Sequence, residues 1–462
     1  MKIYNTLTRK VEEFIPNVEG KVKLYTCGPT VYHYAHIGNI RNYIGHDILD
    51  RSLRYLGYDV TRAMNITDVG HLTSDSDSGE DKMEVARKRE NKTAMEIAKF
   101  YTDAFFNDFK KVNCLMPEII SPATSNIDEY IKIITKLLDD GYAYLSGGNV
   151  YFDTNKLDNY YCLTNQDDNM VIGAREGVDE DSNKKNQADF VLWFTTSKFE
   201  NHELLWDSPW GKGYPGWHIE CSGISIKYLG EYLDIHGGGV DNIFPHHTNE
   251  IAQSESYLGH KWCNYWFHNE HLLDSTGKMS KSNGAILTVS LLEEKGYNPL
   301  SFRYMCLNSH YRKQLSFSYD ALDQAENSLN KLKNKISNLS KDGEINNKEF
   351  DNYKNKFIEQ LENDLNTSNA MSILYEVLKD NNISDATKIK LVEEFDKVFA
   401  LDLTKEDSID KELEKEILSK IEERNIAKKN KDYALADKIR DELLSKGIKL
   451  NDTREGTTFE IL

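Results

Sequence analysis

A short strand, a glycine–proline turn, a helix and a second strand succeed one another within residues 20–70, and this run does most to limit the fold. Lys21–Thr26 is bounded by Gly20 and by Gly28-Pro29, as a buried strand is. Ile40–Leu56 has the length and apolar spacing of a helix, and Asp59–Asn65 supplies the next strand. A unit of this kind requires a parallel sheet and brings ligands to the C-terminal ends of its strands. The fold class is therefore α/β, and the sheet is expected to resume through Trp217–Cys221, Tyr232–His236 and Tyr265–His268. Residues 115–205, with helices and short aromatic strands at Val150–Phe152 and Phe190–Phe194, read as an insertion that splits it. Beyond Asn298-Pro299 the apolar spacing becomes helical (Leu329, Leu332, Ile336, Leu339), so 321–403 reads as a bundle. A polar stretch at Thr404–Asp410 leads to a charged helix pair, Leu413–Asn430 and Tyr433–Lys446, and a strand-like end at Thr457–Leu462.

Two segments are suited to phosphate. His36-Ile37-Gly38-Asn39 opens the first helix, where unpaired N–H groups and the positive end of the dipole face an anion. Lys278-Met279-Ser280-Lys281-Ser282 sets two mobile cations on a loop behind Gly277. A third segment, Asp234–Asp241, carries Gly237, Gly238 and Gly239 directly after a strand; glycine allows close backbone approach, and Asp241 can accept hydrogen bonds from a ribose. A plain glycine-rich turn accounts for that composition equally well. Metal ligands are also at hand. Cys27 and Cys221 are placed at expected strand ends, and Pro245 starts a helix on which His246 or His247 shares a face with Glu250. Two thiolates, an imidazole and a carboxylate suit zinc, although spacing alone does not choose between the histidines. Buried free cysteines beside a surface histidine pair are the competing explanation.

The 462 residues exceed what one core organises, and 39% hydrophobic with 29% charged residues is the composition of a globular chain. No apolar run approaches the roughly 20 residues that span a bilayer, and the N-terminus lacks a signal-peptide core, so the cytoplasm and no membrane partner are expected. Six scattered cysteines suit reduced thiols rather than a disulfide framework. A net charge of −18 excludes indiscriminate binding to nucleic acid and leaves room for a specific RNA on local basic patches.

Taken together, Tyr25–Tyr32, His36–Asn39, Gly216–Ser222, Asp234–Asp241, Phe244–Glu250, Lys278–Ser282 and the Gly456-Thr457-Thr458 tail resemble, in order and over nearly the whole chain, the cysteinyl-tRNA synthetases, a class I aminoacyl-tRNA synthetase family. The resemblance implies a Rossmann-like catalytic domain (1–114 and 206–290), a connective subdomain (115–205), a stem-contact region (291–320), a helical bundle (321–403) and an anticodon-binding domain (404–462). It implies one zinc on Cys27, Cys221, His246 and Glu250, with Glu250 the weak ligand. It implies ATP with Mg²⁺ as substrate: His36, Asn39, Lys278 and Lys281 stabilise the phosphates, and Gly38, Gly238, Asp241 and Lys281 bind the nucleotide. Thr67, Trp217 and His236 are expected to line the cysteine pocket. The partners implied are L-cysteine, ATP and cysteine tRNA, and a monomer is expected. Residues 419–450 carry nine Lys/Arg against six Asp/Glu, and Arg424, Lys428, Lys429, Lys431 and Arg440 are expected to meet tRNA phosphates. Three departures stand out: Asn39 where the class often has a second histidine, a long acidic 70–80 loop, and Phe459 where a tryptophan is expected for base stacking. A cysteine ligase acting on a small amine and a catalytically silent tRNA-binding paralogue are the alternatives. The tail argues against the first, and the intact phosphate and metal residues argue against the second.

Overall fold

The structure, a computed structural model, describes residues 1–69, 86, 90, 92–164, 181–196, 204–274, 277–278, 286–405, 411–445, 447–452 and 456–461. The 70–80 loop and Lys281 lie outside the described residues, as does the side chain of Lys278.

Five strands, β1 (Lys21–Thr26), β2 (Asp59–Ile66), β3 (Ile119–Pro122), β4 (Leu233–Gly239) and β5 (Cys263–Asn269), form one parallel sheet in the order β5-β4-β1-β2-β3. The direction of winding reverses between β1 and β4, and ligands of open α/β sheets bind beyond the C-terminal ends at such a reversal. There the Cys27 N–H donates to the Gly237 carbonyl (3.1 Å) and joins the two strand ends. β3 pairs with β2 although it falls inside the 115–205 range; four residues ending in proline are too few to show a period. The remainder of that range contributes to a separate antiparallel sheet of Ala143–Ser146, Asn149–Phe152, Phe190–Phe194 and Tyr214–Pro215.

Helix α1 (Ile37–Tyr55) begins three residues before its apolar pattern because its cap is polar. His36 Nδ1 accepts the Asn39 N–H (3.2 Å) while Asn39 Oδ1 accepts the His36 N–H (3.3 Å), which satisfies two otherwise unpaired donors. Helix α2 (His218–Leu229) corrects the expected strand at Trp217–Cys221. Every residue from His218 to Ile226 is buried, polar and apolar alike, so the helix shows no amphipathic stripe, and so short a segment reads equally well as a strand. Helix α3 (Thr248–Leu258) starts after Pro245 rather than at it, because Phe244 is extended (φ −140°, ψ 131°) and Ile243–His247 forms a wide turn.

Helix α4 (Pro299–Leu307) leads into the bundle α5 (Tyr319–Ser337), α6 (Asn347–Glu362), α7 (Thr367–Lys379) and α8 (Asp385–Phe399). Ile40, Ile44 and Ile48 of α1 share one apolar cluster with Leu322, Phe357, Leu374 and Phe395 of the bundle. At its centre Arg303, fully buried, donates to Asp47 of α1 (2.6 Å) and to the carbonyls of Phe399 (2.6 Å) and Val112 (3.0 Å).

The chain divides into two compact units, Met1–Thr404 and Lys405–Leu462. In the smaller, α9 (Lys411–Lys429), α10 (Tyr433–Ser445) and a hairpin of β6 (Ile448–Asp452) with β7 (Thr457–Ile461) enclose Ile417, Ile421, Ile439, Leu443 and Ile448. Phe459 packs partly buried against that core. Among the described residues no helix is long and apolar enough to cross a membrane.

Candidate active site

The ends of β1 and β4 and the first turns of α2 and α3 converge on one buried cluster. Cys27 follows β1, Cys221 sits in the first turn of α2, and His246 and Glu250 flank the start of α3. Their donor atoms lie within 4.8 Å of one another. Cys27 Sγ is 3.9 Å from Cys221 Sγ, Cys221 Sγ is 3.5 Å from His246 Nε2, and His246 Nε2 is 3.0 Å from Glu250 Oε1. Glu250 Oε1 is buried and has no aligned hydrogen-bond donor among the described residues. A second set, Cys27, His236, His247 and Glu250, converges as closely and shares two members with the first. The arrangement is compatible with a metal site.

Protonation follows the crowding of anionic donors. The hydrogen bond between the two thiols lowers Cys27 to about 6 against the opposing effect of burial. Burial and the Cys27 charge push Cys221 well up. Burial opposes charge on His246, yet the Glu250 carboxylate and Cys27 raise it to about 9.

The other expected residues divide. Cys27, Asn39 and Asp241 line one cleft of about 240 Å³, so the metal candidate, the helix start and the ribose candidate face a common space. Asp241 also lies 3.4 Å from His271 Nε2. His236 is fully buried behind Glu250, with Nε2 2.7 Å from Oε2 and its ring stacked on Trp266 at 4.7 Å. Gly238 makes room for the protein itself, since a Cβ there would meet His247 Cε1 at 2.5 Å. A Cβ on Gly38 would meet His36 Nδ1 at 2.8 Å, so this glycine protects the cap. Trp217 is buried against Trp206 at a ring distance of 6.4 Å. Thr67 is buried and donates to Glu220 (2.9 and 3.0 Å).

In the smaller unit Arg424 is buried in a two-pronged pair with Asp452 (2.8 and 3.0 Å), which Lys428 joins at 2.7 Å. Arg424 and Lys428 hold the Asp452 carboxyl well below its usual range. That pairing gives Arg424 a structural partner in place of the expected phosphate. Arg440 pairs with Asp437 (3.0 Å) and Asp441 (2.9 Å), and Lys429 and Lys431 are exposed.

Sequence reasoning offered His247 only as an alternative ligand and missed the other groups that support this cluster. His247 Nε2 is 3.3 Å from Cys27 Sγ, its Nδ1 is 2.8 Å from His268 Nε2, and His268 Nδ1 is 2.7 Å from Thr6 Oγ1. Asn65 bridges Gly28 and Glu220, and burial pushes the Glu220 carboxyl up to about 8 against the hydrogen bonds from Asn65 and Thr67. Only the place of Asn65 at the C-terminal end of a parallel strand hinted at this.

Comparison with known proteins bears on the chemistry. A family model described as the tRNA synthetases class I (C) catalytic domain matches residues 13–327, and a DALR domain model matches 356–401. The chain is 46% identical to the cysteine--tRNA ligase of Treponema denticola over 100% of both chains. It is 44% identical to that of Borreliella burgdorferi over 99% of this chain and 98% of the relative. Among solved structures, Mycobacterium tuberculosis methionyl-tRNA synthetase in complex with methionyl-adenylate shares the fold, with a TM-score of 0.56 at 16% identity over 83% of this chain and 91% of that one.

Proposed function

Because the chain belongs to the cysteinyl-tRNA synthetases, we propose that Cys27, Cys221, His246 and Glu250 hold a zinc ion that selects the substrate thiol beside an ATP site built on His36, Asn39, Lys278 and Lys281. The protein is an ATP-dependent ligase that joins cysteine to tRNA. The cysteine carboxylate attacks the α-phosphorus of ATP, pyrophosphate leaves, and a hydroxyl of the 3′-terminal adenosine then takes the cysteinyl group from the adenylate as AMP leaves. The observation that carries the site assignment is the single cleft shared by Cys27, Asn39 and Asp241.

The donor set fits zinc. Tetrahedral bonds of about 2.3 Å to sulfur and about 2.0–2.1 Å to nitrogen place S···S at about 3.8 Å and S···N at about 3.6 Å. The corresponding distances here are 3.9 and 3.5 Å. The alternative set with His247 has only one sulfur, and two thiolates favour zinc more strongly. A zinc ion held by these residues would supply a site that prefers a substrate thiolate to a neutral hydroxyl. The residues around it do the rest. His236, bonded to Glu250 Oε2, gives that carboxylate a second partner, which would keep Glu250 paired if its other oxygen were released from a bound ion. His36 accepts a backbone N–H at Nδ1, so its neutral ring donates through Nε2. The start of α1 adds its dipole, and with Lys278, Lys281 and Mg²⁺ these groups stabilise charge that develops on the phosphates. Thr67 and Trp217 close the amino-acid pocket, and Gly38, Gly238 and Asp241 border the nucleotide.

Residues 404–462 are proposed to read the anticodon and 291–320 to contact the acceptor stem, with Lys428, Lys429, Lys431 and Arg440 toward phosphate and Arg424 bracing the fold. The chain is read as a cytoplasmic monomer.

Cysteine-dependent exchange between ATP and pyrophosphate, followed by charging of cysteine tRNA, tests this reading. Both are expected. Exchange without charging favours ligation to a small amine, and no exchange with zinc and Mg²⁺ supplied rejects the synthetase.

A further inference from the structure

We infer that Asn65 is the positioning residue that sets the separation of the two cysteine ligands, because its one side chain bridges the segment after Cys27 to the segment before Cys221. Asn65 is the penultimate residue of β2 and is 2% exposed. Its Oδ1 accepts the N–H of Gly28, the residue after Cys27, at 2.7 Å. Its Nδ2 donates to Oε1 of Glu220, the residue before Cys221, at 2.7 Å. Both ends of the amide are thus committed, in opposite senses, to the immediate neighbours of the two thiols.

The surroundings leave little slack. The Thr67 N–H donates to the Pro29 carbonyl and the Val31 N–H to the Thr67 carbonyl, both at 3.1 Å, which pins the loop after Cys27 to the end of β2. A Cβ on Gly28 would fall 1.6 Å from the Asn65 carbonyl oxygen, so the two backbones meet with no side chain between them. Glu220 is 2% exposed and also accepts from the Thr67 hydroxyl. The Cys27 and Cys221 sulfurs come to 3.9 Å although 194 residues separate them in sequence. Outer partners of this kind commonly change metal affinity by about 10- to 100-fold.

The chemistry of the bridge gives a reciprocal test. Asn65→Asp keeps the acceptor for Gly28 but replaces the amide donor with an oxygen facing the Glu220 carboxyl, an acid–acid contact that a buried site disfavours, so the bridge weakens. Glu220→Gln alone keeps an acceptor for Asn65. Combined with Asn65→Asp it supplies an amide that donates to the new carboxylate, and the bridge re-forms with its sense reversed.

The inference rests on the metal reading above, and zinc equilibrium with a chromophoric chelator separates the two. If the unsubstituted full-length protein retains no zinc, the metal reading fails. Given retention, N65D is expected to lose at least about tenfold in zinc affinity, E220Q to stay within about threefold, and N65D/E220Q to recover most of the loss. The cobalt-substituted forms should show the sulfur-to-metal charge-transfer band shifted in N65D and restored in the double variant. Unchanged affinity in N65D would overturn the inference, as would a double variant no better than N65D, or a fall in apo-protein Tm without a change in metal affinity.

Discussion

Cys221→Ser is expected to empty the proposed zinc site and to lower kcat/KM for cysteine by about 10³-fold or more, because the variant exchanges the proposed sulfur ligand for a neutral hydroxyl that zinc binds poorly. Cys221 is 1% exposed and its sulfur faces Cys27 Sγ and His246 Nε2, so no nearby solvent-borne group replaces it. Selectivity should suffer as much as rate. Cysteine and serine differ by one atom, and a pocket that relies on shape separates such near-isosteres by only about 10- to 200-fold. With the metal gone, the preference for cysteine over serine should therefore fall into that range. The fold should survive, since a serine hydroxyl occupies less volume than a thiol and His246 remains within reach as its partner. Elemental analysis with parallel exchange kinetics on both amino acids checks this. Full zinc content together with an unchanged selectivity ratio would remove Cys221 from the ligand set.

Arg303→Met is expected to destabilise the larger unit by about 3 kcal/mol, the low end of the range for breaking a buried ion pair, because Arg51 stays 2.9 Å from Asp47 as a second partner. Arg303 and Asp47 are both fully buried, and removing the guanidinium also strands the carbonyls of Phe399 and Val112. Burial opposes the Asp47 charge, but Arg303 and Arg51 prevail and hold its carboxyl below the usual range. A depressed carboxyl contributes stability that is present above its unfolded value and is lost as pH falls through the folded one. The deficit of the variant should therefore be complete at neutral pH and shrink in acid. Denaturant titration measures it, and Asp47→Asn in the same background should recover part of the loss. Because Asp47 lies on α1, whose start carries the residues proposed to bind phosphate, the variant should also raise the KM for ATP.

How far the molecule was legible in its sequence depends on how local each signal is. β1, α1 and β2 were legible because glycine and proline mark their ends and their periods are short-range. Helix α2 was not, since burial on all sides erased its amphipathic pattern. β3 is only four residues and was absorbed into the insertion. Among the site residues, the expected strand ends brought Cys27 and Cys221 to one sheet edge, the family resemblance added His246 and Glu250, and the structure brings the four together, with Cys221 supplied by a helix. The bridge of Asn65 to Glu220 spans 155 residues and leaves no trace in any window. Arg424 shows the opposite failure. Local charge density pointed to phosphate, while the carboxylate that pairs with it arrives from a hairpin 28 residues away.

The claim that the metal reads the substrate through its sulfur is tested most directly by zinc X-ray absorption on the purified protein. Two sulfur neighbours are expected without substrate, three when L-cysteine is added, and two with L-serine. A count that stays at two with cysteine present would contradict direct recognition of the thiol.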